Sequence, residues 1–226
     1  MYMRTIFIIF AIILSGLPAF SDEIDGRILM GCEVTPQIDP DYIPLKDVKR
    51  SNNLIRLAGS PTLAKGMYIN IKGRVTDENC TPIQNAFVRI WQTDSDGNYE
   101  GHYTKKSQWD VIDESYDKNF AYSGTAQTDN LGNFNFVTIL PVIKDKNKAP
   151  HINFRVKHDD FEELQTMMFF NEHPKNIRDR SYLSVPRQKR DLIKASGSNI
   201  NPGDITHGRT YEFNITLEGL NKYRRY

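Results

Sequence analysis

Cys32 and Cys80 are the only cysteines in this chain of 226 residues, and their chemistry depends on where the chain is located. Two cysteines are too few for a disulfide-dense scaffold or a cysteine-rich zinc cluster. In an oxidising compartment they could pair, and the bridge would tie the N-terminal segment to the first strong strand. Two buried free thiols are the alternative, because sequence alone does not show the geometry.

The N-terminus favours such a compartment. Arg4 provides a positive start, an apolar run covers residues 5–14, and Ala19 and Ser21 place small residues where a signal peptidase cleaves. The run is shorter than the roughly 20 residues that span a bilayer. We therefore predict a signal peptide over residues 1–21 and export to the periplasm or the exterior. An uncleaved N-terminal anchor is the alternative.

Cleavage after Ser21 would leave 205 residues with 28 basic and 28 acidic side chains. This balance gives no general field that would attract a polyanion, so we predict no nucleic-acid partner. The 39% hydrophobic content is that of an ordinary globular chain and excludes long disorder and a polytopic membrane protein.

The elements that must position any functional residue are strands. In residues 67–75, Met67, Ile69, Ile71 and Val75 fall on one face, and residues 164–170 form an apolar run typical of a strand buried on both faces. Further strand patterns cover residues 86–91, 133–139, 152–156 and 211–217.

The remaining segments contain few helical patterns. Residues 188–195 favour one short helix, and residues 100–123 form a long loop of the kind that often carries function. The sequence therefore predicts an all-β fold: a single β-sandwich of mostly antiparallel strands over residues 63–226, preceded by an extended N-terminal arm over residues 22–62.

Several motifs, in chain order, resemble the intradiol ring-cleavage dioxygenases, the family of catechol and protocatechuate dioxygenases. They lie at residues 73–77, 81–94, 97–99, 128–134, 138–141 and 151–154, while residues 32–36 and Cys80 resemble the secreted branch. The resemblance implies a β-sandwich that holds Fe(III) through two tyrosines and two histidines. It also implies a small aromatic diol as the substrate, opened by O2 between its two hydroxyl-bearing carbons.

Two of the four implied metal ligands are present. Tyr99 stands at the position of the first tyrosine, and His151 at the first histidine of the family's His-Ile-His-Phe strand. Positions 151 and 153 point to the same face of a strand, which is why His-x-His can bind one metal ion. Here the second position is Asn153, whose amide is a poor ligand beside an imidazole. The second tyrosine position is Lys144.

Two lysines occupy further family positions. The ammonium of Lys144 would repel a metal cation and could instead attract a carboxylate, phosphate or catecholate. A surface lysine on a shortened loop is the alternative. Lys148 stands where the family has an arginine before the first histidine, so the resemblance gives it a catalytic role. A lysine keeps the positive charge of that arginine but lacks its planar guanidinium group.

Other residues could complete the metal site or bind an aromatic ligand. The candidate substitute ligands are His102, Tyr103, Tyr122, His158 and His173, whose alternative role is that of solvated loop or packing groups. Trp91 and Trp109 could form aromatic platforms, although Trp91 lies mid-strand and is better explained as core.

The resemblance leads to three functional hypotheses. The first is an iron-dependent, ring-cleaving oxidoreductase of the envelope or secreted space. The second is a non-catalytic β-sandwich that binds a ligand or a partner, in a homo- or hetero-oligomer with a related chain, since protocatechuate dioxygenases pair an iron-bearing subunit with a related one that lacks the full site. The third is a structural envelope protein.

Overall fold

A computed structural model describes residues 31–44, 50–100, 116–171, 173–198 and 208–220. Within these residues there are nine strands, and three short helices lie between the sixth strand and the seventh. The strands are β1 (Tyr68–Thr76), β2 (Phe87–Trp91), β3 (Ser123–Gln127), β4 (Asn133–Ile139), β5 (His151–His158), β6 (Phe161–Phe170), β7 (Lys194–Ser198), β8 (Thr210–Glu212) and β9 (Ile215–Thr216). The helices are the α-helix α1 (Arg180–Ser184) and two 3-10 helices, Asn176–Arg178 and Arg187–Ile193.

The strands follow one continuous order, β3-β2-β5-β6-β7-β8-β1-β4, and β9 also pairs with β1. β7 joins the two halves, because residues 194–195 pair with β6 and residues 196–198 pair with β8. The inward side chains of both halves form one buried cluster, which includes Ile71, Val88, Phe136 and Phe154. The predicted all-β sandwich of mostly antiparallel strands is confirmed.

Alternate residues of the first strand point into the core. Ile69, Ile71 and Val75 are buried, whereas Met67 is 61% exposed and lies just before β1, so its predicted place on the buried face is wrong. Gly73 falls between Ile71 and Val75 on the same face and carries no side chain for a steric reason: a Cβ there would lie 1.8 Å from the carbonyl oxygen of Phe213.

Two segments near the C-terminus differ from their sequence predictions. The helix predicted over residues 188–195 is the 3-10 helix Arg187–Ile193, and Ala195 instead belongs to β7. The single closing strand predicted over residues 211–217 is divided into β8 and β9, which pair with different parts of β1.

The segment before β1 lies along the sandwich. Thr35 and Ile38 donate backbone hydrogen bonds to Thr216 and Gln165, and Leu54 is fully buried in the core cluster. A disulfide bond joins Cys32 to Cys80. None of the described helices is long and apolar enough to cross a membrane. The predicted signal peptide, residues 1–21, lies outside the described residues and stays a prediction.

Candidate functional site

The side chains of Tyr99 and His151 meet at the outer face of the sheet. Tyr99 follows a turn in which the Asp94 carboxylate accepts backbone N–H bonds from Asp96 and Asn98, and His151 is the first residue of β5. The Tyr99 hydroxyl lies 3.2 Å from Nε2 of His151. The other ring nitrogen, Nδ1, lies 2.9 Å from the carbonyl oxygen of Ala149. Since a carbonyl only accepts, Nδ1 carries the proton and Nε2 accepts from Tyr99.

Burial favours the uncharged form of both side chains. Burial raises the pKa of Tyr99 from 10.0 to about 12, although a hydrogen bond from Asn153 acts in the opposite direction. Burial also lowers the pKa of His151, which the carbonyl of Ala149 partly offsets. Removal from water disfavours the charged form of each group, so the pair consists of a phenol and a neutral imidazole.

Asn153 presents a donor to this pair. It is fully buried, and its Nδ2 lies 3.2 Å from the carbonyl oxygen of Trp91 and 3.3 Å from the Tyr99 hydroxyl oxygen. The Trp91 carbonyl only accepts, and this fixes the amide with its NH2 toward Tyr99. Its Oδ1 is buried without a hydrogen-bond partner among the described residues. Asn153 therefore offers an N–H to Tyr99 instead of the lone pair of a metal ligand.

Lys144 and Lys148 are held by other polar groups. Lys144 is exposed, and its Nζ donates to Oδ1 of Asn98 at 2.5 Å. Lys148 forms an ion pair with Asp41, a residue of the N-terminal segment. Lys148 thus faces a carboxylate supplied by the chain itself.

Tyr42 covers Tyr99. The two rings are stacked with centroids 4.7 Å apart and planes inclined by 26°. The Tyr42 carbonyl accepts a hydrogen bond of 2.7 Å from the Trp91 indole, and its hydroxyl donates to the carbonyl of Glu100. Asp41 and Tyr42 are site residues that sequence reasoning missed. The available signal was an aromatic side chain and a carboxylate in a segment otherwise rich in proline.

The layer beneath the pair is apolar and rigidly supported. The His151 ring lies 5.8 Å from that of Phe169, in a buried cluster that also contains Met167 and Tyr182. Asp179 caps the N-terminus of α1, and its Oδ2 also accepts from the backbone N–H of Ala149 at 2.8 Å. The residue whose carbonyl orients His151 is therefore itself fixed.

The described substitute ligands lie in other contacts. Tyr122 donates to Asp94 at 2.7 Å and stacks on Tyr116. His158 lies seven residues along β5 from His151, about 23 Å by the rise of a strand. Nδ1 of His173 accepts from the backbone of Lys175. His102, Tyr103 and Trp109 lie outside the described residues, and Trp91 is buried, with its indole bound to Tyr42.

The donor set at the four family positions does not fit the ferric site that the resemblance implies. Tyr99 and His151 supply one oxygen and one nitrogen, whereas Asn153 presents an N–H and Lys144 an ammonium. In the described part of the chain, no group of three or more His, Cys, Asp or Glu side chains converges as a metal site. Catalytic metal sites typically use at least three protein ligands.

Comparisons with known proteins identify the family. The family model described as Dioxygenase matches residues 38–219. A Rickettsia bellii protein named "Putative dioxygenase" is 33% identical over 193 residues, which cover 83% of each chain. The beta chain of protocatechuate 3,4-dioxygenase from Burkholderia cepacia is 32% identical over 161 residues, 68% of this chain and 66% of that one.

A solved structure supports the fold. The intradiol ring-cleavage dioxygenase of Tetranychus urticae superposes with a TM-score of 0.62 at 22% identity, covering 85% of this chain and 98% of that one. Together with the matched motifs and the sandwich, these likenesses show that the chain belongs to the intradiol ring-cleavage dioxygenase family.

Proposed function

We propose that this protein is an exported member of the family that no longer cleaves rings and acts as a ligand-binding or partner subunit. The observation that carries the proposal is the Asn153 amide, which directs an N–H toward the Tyr99 hydroxyl where the resemblance implies a second histidine ligand. A metal ligand must offer a lone pair, and this amide nitrogen has none to offer.

The residue at the second implied tyrosine position supports the same proposal. Ferric iron would act as a Lewis acid on a chelated catechol, and such a cation needs anionic donors. The ammonium of Lys144 adds positive charge at one implied ligand position. The Tyr99 hydroxyl, with its pKa raised to about 12, keeps its proton and donates a hydrogen bond to His151. The hydroxyl of Tyr99 and the imidazole of His151 are thus hydrogen-bonded to each other.

A partner role is consistent with the named relatives. The Burkholderia cepacia relative is one chain of its enzyme, and its name distinguishes it as a beta chain. We propose that this protein similarly assembles with itself or with a related chain. The signal-peptide pattern predicted over residues 1–21 supports export, and the Cys32–Cys80 disulfide is compatible with it, because such bonds persist in oxidising compartments.

The second candidate function is Fe(III)-dependent opening of a small aromatic diol. The convergence of Tyr99 and His151 favours it, because donors 3.2 Å apart can both lie about 2 Å from one metal ion. His102 and Tyr103 follow Tyr99 closely in sequence and would have to supply the missing donors.

One experiment separates the two candidates. The mature protein, incubated with ferric iron, is supplied with catechol while oxygen uptake and ring-opened diacid are measured. The same preparation is used to capture related iron-bearing chains from its source. The proposal expects no oxygen uptake above the free-iron blank and capture of such a chain or self-association. Stoichiometric diacid that is lost in Tyr99→Phe would establish the second candidate instead.

A further inference from the structure

A basic cavity lies on the same outer sheet face as the Tyr99–His151 pair but farther along the strands. Its volume is about 570 Å³, within the range of small-ligand sites. Its described lining includes four cationic side chains and one carboxylate, namely Arg50, Arg89, Arg155, Lys157 and Glu163. Arg155 is four residues along β5 from His151, about 13 Å by the rise of a strand. The cavity is therefore separate from the candidate metal positions.

Two of these cations are held side by side. Arg89 of β2 and Arg155 of β5 are directly opposite each other in the strand register. Like charges in this position destabilise a sheet unless other groups compensate. Both guanidinium carbons lie over the Trp91 ring, at 5.9 and 5.8 Å from its centroid. The Trp91 ring thus offers a cation–π contact to each of the two guanidinium groups.

An ion pair and one hydrogen bond orient the second guanidinium. Nε of Arg155 lies 3.2 Å from the carboxylate of Glu163, and Nη2 donates to Gln165 at 3.0 Å. Because Glu163 supplies one negative charge against four positive ones, the lining keeps a formal excess of three. Such a concave, positively charged surface concentrates anions.

An exposed aromatic side chain lies in the next row of residues on the same face of the sheet. Phe87 is directly opposite Lys157 in the register and remains 48% exposed. Phe87 and Arg89 are alternate residues of β2, so both side chains point out of the sheet on the same side. A ligand lying across the two rows would meet Arg89 and Arg155 in one row, and the Phe87 ring beside Lys157 in the other.

We propose that this cavity binds a small organic phosphate monoester, with its phosphate on Arg89, Arg155 and Lys157 and its organic group on Phe87. A phosphate monoester carries nearly two negative charges at neutral pH and three acceptor oxygens. Guanidinium groups bind such oxygens in a bidentate manner, and a dianion offsets more of the excess charge than a carboxylate does. The proposal is independent of whether the protein binds iron.

Calorimetric titration of the mature protein tests the ligand class. The probes are phenyl phosphate, inorganic phosphate, phenyl sulfate and benzoate. The proposal expects phenyl phosphate to bind tightest, inorganic phosphate to bind more weakly, and the two singly charged aromatic anions to bind at least about tenfold more weakly than phenyl phosphate. Equal binding of benzoate and phenyl phosphate would overturn it, as would no binding of phenyl phosphate at millimolar concentration.

Matched variants test the location. Lys157→Glu reverses a charge at the cavity, and Lys118→Glu reverses one at an exposed position outside it. Lys157→Glu should weaken phenyl phosphate binding at least about tenfold, and Lys118→Glu should leave it nearly unchanged. Phe87→Ala should weaken binding of phenyl phosphate but not of inorganic phosphate. An equal loss in both charge variants would overturn the assignment, with thermal unfolding confirming that all variants are folded.

Discussion

Tyr42 lies flat on Tyr99, 57 residues later in the chain, with ring centroids 4.7 Å apart. The segment that carries Tyr42 also provides Asp41 to Lys148, so two family positions are covered by neighbouring residues of one segment. The N-terminal segment is thus part of the candidate site. A ligand that approached Tyr99 from this side would have to displace the Tyr42 ring.

Removal of the Tyr42 ring should lower the pKa of Tyr99. Burial is the main reason that this pKa is about 12, and Tyr42→Ala exposes the phenol to water. We expect the pKa to move toward 10.0, measured by NMR titration of tyrosines labelled with ¹³C. Tyr42→Phe keeps the stacked ring and should keep the high value. An unchanged pKa in Tyr42→Ala would show that Tyr42 does not shield Tyr99.

His151 should make the fold acid-sensitive. Its folded-state pKa lies below the unfolded value of 6.5, so the unfolded chain binds more protons as the pH falls through this range. The free energy of unfolding should therefore decrease below about pH 6.5. In His151→Gln this decrease should be smaller, measured by urea unfolding at pH 7.5 and pH 5.

His173 provides the comparison for this measurement. Its pKa is lowered in the same direction, by burial and by the nearby Lys175, but it is less buried than His151. His173→Gln should therefore remove a smaller part of the acid sensitivity. If His151→Gln and the parent protein lose equal stability on acidification, the imidazole of His151 is not the buried neutral group described above.

Restoring the two missing ligand types should restore iron binding. Lys144→Tyr with Asn153→His replaces an ammonium and an amide by a phenol and an imidazole, which offer lone pairs. We expect ferric affinity to rise at least about tenfold, measured by competition with a chelator. The control, Lys146→Tyr with Asn153→His, moves the phenol two residues along the loop. An equal gain in both double variants would mean that position 144 does not face the site.

The sequence patterns located most of the sandwich and part of the site, for physical reasons. Alternating apolar residues identified β4 because its inward side chains form the core. A continuous apolar run identified residues 164–170 of β6, because that part of the strand is largely buried on both faces. β3 was not predicted, because the segment Ser-Gly-Thr-Ala-Gln has little apolar alternation. Backbone pairing with β2 holds this strand in the sheet. The place of Tyr42 in the site was not predicted either, because it depends on a contact between segments that are far apart in sequence.

The Cys32–Cys80 bridge should stabilise the fold mainly by restricting the unfolded chain. The two cysteines are 48 residues apart, and a bridge over a loop of this length contributes about 2–4 kcal/mol. Cys32→Ser with Cys80→Ser should lower the free energy of unfolding by this amount in urea titrations. A strong reductant should produce the same loss in the parent protein and none in the double variant. Equal stability of all three samples would contradict this role.

Iron stoichiometry tests the central claim most directly. The mature protein is reconstituted with ferric iron, freed of excess by gel filtration, and measured by elemental analysis and visible absorption. Asn153 and Lys144 do not offer lone pairs to a metal ion bound by Tyr99 and His151. We therefore predict much less than one iron per chain and no tyrosinate-to-iron band. One iron per chain with such a band, lost in Tyr99→Phe, would contradict the account.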